Sequence, residues 1–218
     1  MIEVKNLSFS YDGKRDIIKN LSLSLERGEV LGLVAPSGYG KSTLGKLMAG
    51  YIKAPRRTVL VDGKDIRNLK GFLPVQMVHQ NPEKNVNITW KVGKILNEGW
   101  LVSDEIKKAF GIREEFLEKF PVELSGGELQ RICLARVMGD SCKYLIADEV
   151  TSMLDTINQA EICKILLDFA KNKKVGILFI SHNKALLDLI ADRIIDLREI
   201  NMIIHDRIED VIEYVRGD

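Results

Sequence analysis

The feature that most constrains the fold is an apolar segment that runs into a glycine-rich loop and then into a helical pattern. The apolar segment is residues 30–35, the loop is residues 35–42 (APSGYGKS), and apolar residues then recur at helical spacing over 41–49, up to Gly50. A short apolar run bounded by a turn is typical of a buried strand, and a glycine after the last periodic residue is typical of a helix end. The sequence therefore predicts the order strand, loop, helix.

This loop has the composition of a phosphate-binding site. Backbone N–H groups at a helix N-terminus favour an anion, and Gly38 and Gly40 let the backbone curl without side-chain clashes. Lys41 supplies a positive charge for the β- and γ-phosphates of a nucleotide, and Ser42 supplies a hydroxyl for Mg²⁺. The residues predicted to bind the nucleotide here are Ser37, Gly38, Tyr39, Gly40, Lys41, Ser42 and Thr43.

The first position of the loop departs from the pattern G-x-x-x-x-G-K-[ST], because Ala35 stands where glycine is expected. Pro36 biases the residue before it toward an extended backbone, which alanine adopts freely. We therefore expect a negative φ at Ala35 and an intact phosphate loop.

Strand and helix patterns in the second half predict an α/β fold with a mostly parallel sheet. Residues 144–147 and 175–180 are apolar runs typical of buried strands, and helical patterns over 158–170 and 184–190 follow them. Repeated strand–helix units of this kind indicate parallel strands with helices on the faces of the sheet.

The N-terminal region predicts a separate group of strands. Residues 2–4, 7–9 and 21–25 have strand character, and the last of them alternates strictly between apolar and polar residues. Alternation with a period of two indicates one buried and one solvated face. We expect these strands to form an antiparallel β subdomain.

Between these regions lies a segment of different character. From about residue 83 to 140 charged, helical patterns dominate, including 104–110 and 113–120. We expect one domain over residues 1–218, in which 1–82 and 141–218 form the core and about 83–140 form a helical subdomain.

Composition excludes several classes of function. The 32 basic and 31 acidic residues give a net charge of +1, which provides no basis for broad binding of nucleic acid. The three cysteines lack metal-ligand spacing, so buried thiols in a reducing compartment are expected. The N-terminus lacks the apolar block of a signal peptide, and no apolar run approaches the ~20 residues that span a bilayer.

A second glycine-rich segment comprises Ser125, Gly126, Gly127 and Glu128. Ser125 and Glu128 match a capping box, which predicts a helix that starts here. The capping box does not explain two glycines in the first turn, since glycine in a helix interior costs ~1 kcal/mol relative to alanine. Close approach of the backbone to an anion would explain them, which suggests a second phosphate-binding surface.

This segment resembles the signature motif of ABC ATPases, and the remaining motifs follow in the order of that family over essentially the whole chain. The resemblance implies the ABC ATPase form of the P-loop NTPase fold. It also implies that Ser125, Gly126, Gly127 and Glu128 face the γ-phosphate of ATP held by the phosphate loop of a second cassette.

Two acidic residues end the predicted strand 144–147. Ligands in α/β folds sit at the carboxyl ends of parallel strands, and adjacent strand residues point to opposite sides. Two different roles are therefore expected. Asp148 would reach Mg²⁺ directly or through water, and Glu149 would polarise the attacking water as a general base or orienting group.

The resemblance to ABC ATPases assigns roles to two more polar residues. His182, after the strand 175–180, matches the family histidine that contacts the γ-phosphate, and Gln80 matches the glutamine that approaches Mg²⁺ and the attacking water. His79 and His205 have no such context and are expected to be structural or exposed.

Other positions match the family less specifically. Tyr11 corresponds to the aromatic residue that stacks on adenine, and residues 151–155 resemble the loop that crosses the interface between two cassettes. Trp90 and Trp100 could contact a membrane permease or be buried in the helical segment, and the sequence leaves both alternatives open.

The resemblance as a whole implies an ATP- and Mg²⁺-dependent ATPase that energises a membrane transporter. More finely, residues 35–44, 79–84 and 123–131 resemble the ATPases of dipeptide, oligopeptide and nickel importers. The implied partners are integral-membrane permease subunits, a second ABC ATPase subunit and an extracytoplasmic solute-binding protein, and the implied location is the cytoplasmic face of the cell membrane. The alternative is a non-transport ABC ATPase in translation or DNA repair.

Overall fold

A computed structural model of the chain describes residues 1–152 and 154–201. Met153 of the segment 151–155, His205 and the last part of the predicted core lie outside the described residues. In the described part, the predicted α/β architecture is confirmed: a parallel sheet, an antiparallel sheet and helices.

The central element is a five-stranded sheet in which every pair of neighbouring strands is parallel. Its spatial order is β6-β7-β8-β3-β9. The strands are β3 (Val30–Val34), β6 (Val75–Val78), β7 (Tyr144–Asp148), β8 (Gly176–Ile180) and β9 (Arg193–Asp196). Because all five run in one direction, their carboxyl ends meet at one edge of the sheet, where ligands of such folds bind.

A second, antiparallel sheet has the order β2-β1-β4-β5. It comprises β1 (Ile2–Phe9), β2 (Ile18–Leu25), β4 (Val59–Val61) and β5 (Lys64–Asp65). The sequence predicted two short strands where the structure has the single strand β1. Asn6 lies between them with φ of 45°, and the pairing of β1 with β2 is irregular from Val4 to Leu7. A β-bulge thus interrupts the alternation of side chains without ending the strand.

The structure has a helix in each region where the sequence predicted one, and two further short helices, Val92–Leu96 and Leu197–Ile200, that it did not predict. The helices that follow strands of the parallel sheet are α1 (Lys41–Met48), α6 (Thr156–Lys173), α7 (Lys184–Ile190) and α8 (Leu197–Ile200). Between β6 and β7 the described elements are helical: α2 (Val92–Leu96), α3 (Asp104–Ala109), α4 (Glu114–Leu117) and α5 (Gly126–Val137), with short 3₁₀ turns.

Both faces of the parallel sheet are buried. On β7, Leu145 and Ala147 belong to the apolar core shared with the helices, whereas Tyr144 and Ile146 belong to the core shared with the antiparallel sheet. This division follows from the alternation of side chains along a strand. It explains why the central strands are continuously apolar in sequence.

The two tryptophans are half-buried within the helical segment. Trp100 donates its Nε1–H to the carbonyl oxygen of Arg136 at 2.7 Å, and the Lys94 ammonium lies 3.7 Å from the centre of the Trp90 ring. Both rings pack against the apolar core. Partial burial in the helical segment, one of the two alternatives that the sequence left open, is thus observed, and contact with a permease stays a prediction.

Substitution of Gly176 should destabilise the sheet. A Cβ atom there would lie 2.3 Å from the carbonyl oxygen of Glu26 and 2.9 Å from the Tyr144 ring. We expect Gly176→Ala to lower the free energy of unfolding by about 2–3 kcal/mol, measured by urea denaturation. Gly126→Ala is the matched control, because its Cβ would meet no atom within 4 Å. Equal midpoints for the two variants would contradict this packing.

The expectation of buried thiols is confirmed for Cys133, Cys142 and Cys163. Burial raises the pKa of Cys133 and Cys163 to about 11 and that of Cys142 to about 12. Only a thiolate reacts readily with a disulfide reagent. We therefore expect no thiol of the folded protein to react with Ellman's reagent at pH 8 and all three to react in guanidinium chloride. Rapid reaction of the folded protein would contradict the burial.

Candidate active site

The phosphate loop joins β3 to α1, as predicted. Gly38 and Gly40 have φ values of 83° and 86°, a left-handed conformation that glycine adopts without strain. Ala35 is not among the described residues with positive φ, which confirms the expectation for this position. The loop therefore tolerates alanine at its first position, because the backbone needs no glycine there.

A cavity of about 350 Å³ opens over this loop. It brings together residues that are far apart in the chain: Gln80 and Glu149 face the loop across the cavity. The lining residues are Ile17, Ser37, Gly38, Gly40, Lys41, Ser42, Thr43, Gln80 and Glu149.

Lys41 is the buried cation of this cavity, with 8% of its surface exposed. Its Nζ donates to the carbonyl oxygen of Ala35 at 2.6 Å and to that of Pro36 at 2.9 Å. Burial lowers the pKa of the ammonium group, and the carboxylates of Glu149 and Asp148 oppose that shift. A cation with so little access to water interacts strongly with any anion that enters the cavity.

A neighbouring cavity of about 360 Å³ contains all three predicted metal ligands, Ser42, Gln80 and Asp148. Asp148 is 4% exposed, and its Oδ1 has no hydrogen-bond partner. An unpartnered buried carboxylate oxygen is costly unless a cation or donor completes it. In the described part of the chain, no three His, Cys, Asp or Glu side chains are grouped so that they could hold a metal ion by themselves. A single carboxylate with a hydroxyl and an amide beside it suits Mg²⁺, which is held by one or two carboxylates together with substrate phosphates.

Glu149 differs from the expectation in its backbone. The sequence predicted that Asp148 and Glu149 diverge as neighbours on a strand, but β7 ends at Asp148 and Glu149 has φ of 54°. Its N–H donates to the carbonyl oxygen of Ile180 at 3.0 Å, which holds this left-handed turn against β8. The two carboxylates are therefore separated by a strained turn and not by strand alternation.

The carboxylate of Glu149 also contacts His182, which follows β8. His182 Nδ1 lies 2.8 Å from Glu149 Oε2, and the imidazole is exposed whereas the carboxylate is largely buried. Gln80 follows β6, and its Nε2 donates to Ser152 Oγ at 3.4 Å. The ends of β6, β7 and β8 thus bring an amide, a carboxylate and an imidazole to the edge of the sheet that holds the phosphate loop.

The second glycine-rich segment is not part of these cavities. Ser125 caps α5: its hydroxyl accepts from the N–H of Glu128 at 3.3 Å, and Glu128 Oε2 accepts from the N–H of Ser125 at 2.8 Å. The predicted capping box is confirmed. A Cβ on Gly126 would meet no atom within 4 Å, whereas one on Gly127 would lie 3.0 Å from Leu154. The first turn of α5 is thus an open surface at a helix N-terminus.

Tyr11 lies beside the phosphate loop. Its side chain is exposed, its hydroxyl is 3.3 Å from Thr43 Oγ1, and its ring contacts Phe9 edge-on at 5.1 Å. His79, for which a structural role was expected, is half-buried with its ring 5.8 Å from that of Tyr51, and burial lowers its pKa.

Sequence reasoning missed five residues that line the cavities: Ile17, Lys46, His79, Asn81 and Lys84. Ile17 lies just before β2, while Lys46 on α1 and Lys84 after β6 line the cavity that contains Asp148. Lys46 is one turn beyond Ser42, so helical spacing alone could have placed it on the same side of α1. Nothing in the local sequence singles out Ile17 or Lys84.

Comparison with known proteins identifies the family. The family model described as ABC transporter matches residues 18–152. The chain belongs to the ABC transporter family. It is an ATP-binding ATPase of that family, which accounts for the phosphate loop and for the polar groups gathered around it.

Individual relatives support the same conclusion. The chain is 33% identical to the dipeptide transport ATP-binding protein DppF of Lactococcus lactis, over 89% of this chain and 70% of the relative. It is 32% identical to the oligopeptide transport ATP-binding protein OppF of Streptococcus mutans, with the same coverage. It is 33% identical to the energy-coupling factor transporter ATP-binding protein EcfA1 of Fusobacterium nucleatum, over 84% of this chain and 74% of the relative.

Solved structures show the same fold. CbiO1 of Clostridium perfringens, part of the ABC transporter complex CbiONQ, is 25% identical with a TM-score of 0.74, over 89% of this chain and 83% of that chain. The ATP-binding cassette MJ0796, in a post-hydrolysis state bound to ADP and phosphate, is 22% identical with a TM-score of 0.78, over 90% of this chain and 94% of that chain.

The unpartnered carboxylate leads to a test of function against stability. Asp148→Asn removes a buried charge, so we expect the melting temperature of the nucleotide-free protein to stay the same or rise. The variant should lose the stabilisation that ATP with Mg²⁺ gives the wild type, which is about 2.7 kcal/mol at a ligand concentration 100 times the Kd. Differential scanning fluorimetry measures both effects. Exposed Asp168→Asn is the control, and a full Mg-ATP response in Asp148→Asn would contradict the assignment.

Proposed function

We propose that this chain is the ATP-hydrolysing subunit of a membrane importer of peptides, nickel or a related small solute. The observation that carries the proposal is the convergence of Lys41, Ser42, Gln80, Asp148 and Glu149 at one edge of the parallel sheet. A buried ammonium group, a hydroxyl, an amide and two carboxylates around a glycine-rich loop are the groups that Mg-ATP hydrolysis requires. The similarity to DppF and OppF supports the choice of a peptide importer.

The phosphate loop and Tyr11 would bind the nucleotide. The backbone N–H groups of residues 37–43 receive the phosphates, and Lys41 neutralises part of their charge. To do so, its ammonium group must exchange the carbonyl oxygens of Ala35 and Pro36 for phosphate oxygens. Tyr11 lies beside Thr43 with its ring exposed, in reach of a base that extends from the loop.

Ser42, Gln80 and Asp148 would hold Mg²⁺ beside the phosphates. The unpartnered Oδ1 of Asp148 supports this assignment, since a buried carboxylate with an open coordination position fits a cation better than it fits solvent. Mg²⁺ would supply charge neutralisation for the β- and γ-phosphates.

Glu149 and His182 would act on the attacking water. The carboxylate of Glu149 lines the nucleotide cavity and is held at 2.8 Å by His182 Nδ1. A carboxylate fixed in this way can accept a hydrogen bond from water and orient it for in-line attack, while the exposed imidazole is free to reach the γ-phosphate. Gln80, which also lines the cavity, would contact the same water.

Ser125, Gly126, Gly127 and Glu128 would act on the nucleotide of a second cassette. They line neither cavity of their own chain, and the open space around Gly126 allows a phosphate to approach the first turn of α5. The complete site therefore requires two ATPase subunits, identical or different.

A transport role also requires a membrane partner. No described helix combines the length and apolar character needed to span a bilayer. We propose that permease subunits supply the membrane path, that a solute-binding protein delivers the cargo, and that the chain sits at the cytoplasmic face of the membrane. DppF, OppF and EcfA1 are each named as the ATP-binding protein of a transporter, which supports this assembly.

Replacement of the proposed general base tests the chemistry. Glu149→Gln preserves size and hydrogen bonding but removes the base, so we expect kcat for ATP hydrolysis to fall about 10²–10³-fold while ATP still binds. Phosphate release and fluorescent-nucleotide binding measure the two effects, and Lys41→Ala, which should lose binding itself, is the comparison. Turnover by Glu149→Gln at the wild-type rate would refute the role.

The same variant tests the partners. With Mg-ATP, the Glu149→Gln variant should form a dimer detectable by light scattering. The double variant Glu149→Gln/Ser125→Arg should form no dimer, because the larger side chain blocks the first turn of α5. Tagged Glu149→Gln purified from membranes with Mg-ATP should retain a multi-span permease, identified by mass spectrometry. Retention of ribosomal or DNA-repair proteins without a permease would instead support a non-transport ATPase.

A further inference from the structure

One face of α5 is bonded to the backbone of the segment that carries Gln80. Gln130 Nε2 donates to the carbonyl oxygen of His79 at 3.4 Å, and Cys133 Sγ donates to that of Pro82 at 3.8 Å. Arg136 Nη2 donates to the carbonyl oxygen of Asn85 at 3.0 Å. The donors recur every third residue along the helix, which places them on one face, and the acceptors recur at the same spacing. Each donor lies 51 residues after its acceptor, so the contact is a ladder of hydrogen bonds between two segments that run in the same direction.

The bond from Gln130 to His79 comes with an unsatisfied buried oxygen atom, which costs stability. Gln130 is 2% exposed, and its Oε1 has no hydrogen-bond partner, so only half of a buried amide is satisfied. A methionine of similar length would fill the same space without an unsatisfied polar atom. Packing alone therefore does not explain glutamine at this position, whereas a need to hold the carbonyl group of His79 does.

Arg136 completes the ladder at the other end. Besides the bond to Asn85, its guanidinium pairs with Glu98 at 3.2 Å, and its backbone carbonyl accepts from Trp100. Asn85 in turn donates its side-chain amide to the carbonyl oxygen of Asn81 at 3.1 Å. The backbone on the C-terminal side of Gln80 is thus fixed to α5 and not only to the end of β6.

We propose that Gln130 and Arg136 are positioning residues that hold Gln80 in the nucleotide cavity by fixing residues 79–85 to α5. The inference rests on the proposed function, because it concerns how Gln80 meets the attacking water and the metal. The carbonyl group that Gln130 holds belongs to the peptide bond between His79 and Gln80. The helix that begins with Ser125 therefore also sets the position of a catalytic side chain of its own chain.

Gln130→Met tests the first bond. We expect kcat for ATP hydrolysis to fall about 5- to 10-fold, as for the loss of one aligned hydrogen bond, with KM for ATP changed less than about twofold because the phosphate loop is untouched. The melting temperature should change little, because the substitution removes an unsatisfied buried oxygen together with the bond to His79. Gln76→Met is the matched control: Gln76 Nε2 also donates to a carbonyl oxygen, that of Leu73 at 2.7 Å, but within one segment. Equal kcat values for wild type and Gln130→Met would overturn the proposal.

Arg136→Met tests the other end of the ladder and should lower kcat in the same way. Glu98→Gln is its control, because it removes the ion pair and leaves the bond from Arg136 to Asn85. If Glu98→Gln lowers kcat as much as Arg136→Met does, the ion pair and not the ladder is responsible, and Arg136 has no positioning role.

A double-mutant cycle separates positioning from a general structural effect. If Gln130 acts through Gln80, Gln130→Met should cause no further loss of kcat in a Gln80→Ala background. An equal loss in both backgrounds would overturn the proposal.

Hydrogen exchange gives an answer that does not depend on turnover. Amides of residues 79–85 should exchange faster in Gln130→Met than in wild type or Gln76→Met, and unchanged exchange would overturn the proposal. A wild-type chain that lacks ATPase activity both alone and together with its co-purified partner subunits would refute the proposed function, whereas an active wild type matched by Gln130→Met would refute only this inference.

Discussion

The parallel pairing of β3, β7 and β8 is the constraint on which the rest of the site depends. Leu33 on β3 pairs with Ile180 on β8, and Ile180 pairs with Asp148 on β7. The phosphate loop, the acidic pair and His182 each follow one of these strands within a few residues, so this register brings them together at one edge. Packing on both faces fixes the register, because a slip by one residue would exchange the side chains that pack against the helices with those that pack against the antiparallel sheet.

The site combines features that cost stability. Lys41 is nearly buried, Asp148 has an unpartnered carboxylate oxygen, and Glu149 has a left-handed backbone. A strained residue of the last kind costs of order 1–3 kcal/mol, and the surrounding sheet must hold it in place. These costs are understandable if a polyanionic nucleotide and a metal ion complete the site, since they supply the charges that the buried groups lack.

The helical segment between β6 and β7 is joined to this site through residues 79–85. Residues 79–85 leave the sheet after β6 and are bonded to α5, while α5 begins at the open turn of Ser125 and Gly126. A change in the position of α5 would therefore be felt at Gln80 as well as at the surface proposed to meet a second cassette. Residues 79–85 and α5, at the two ends of the helical segment, are thus connected by hydrogen bonds as well as by the apolar core.

The sequence by itself determined the phosphate loop, the capping box of α5, the α/β architecture and most of the residues that line the two cavities, because these depend on local patterns of glycine, charge and periodicity. The tertiary structure decided what depends on contacts between distant residues. Ile17 and Lys84 line the cavities only because the sheets bring them there. The bond of Glu149 to β8 creates a left-handed turn that strand alternation could not predict, and the ladder on α5 joins residues 51 positions apart. Local patterns fix which elements form, whereas packing between elements fixes which side chains meet.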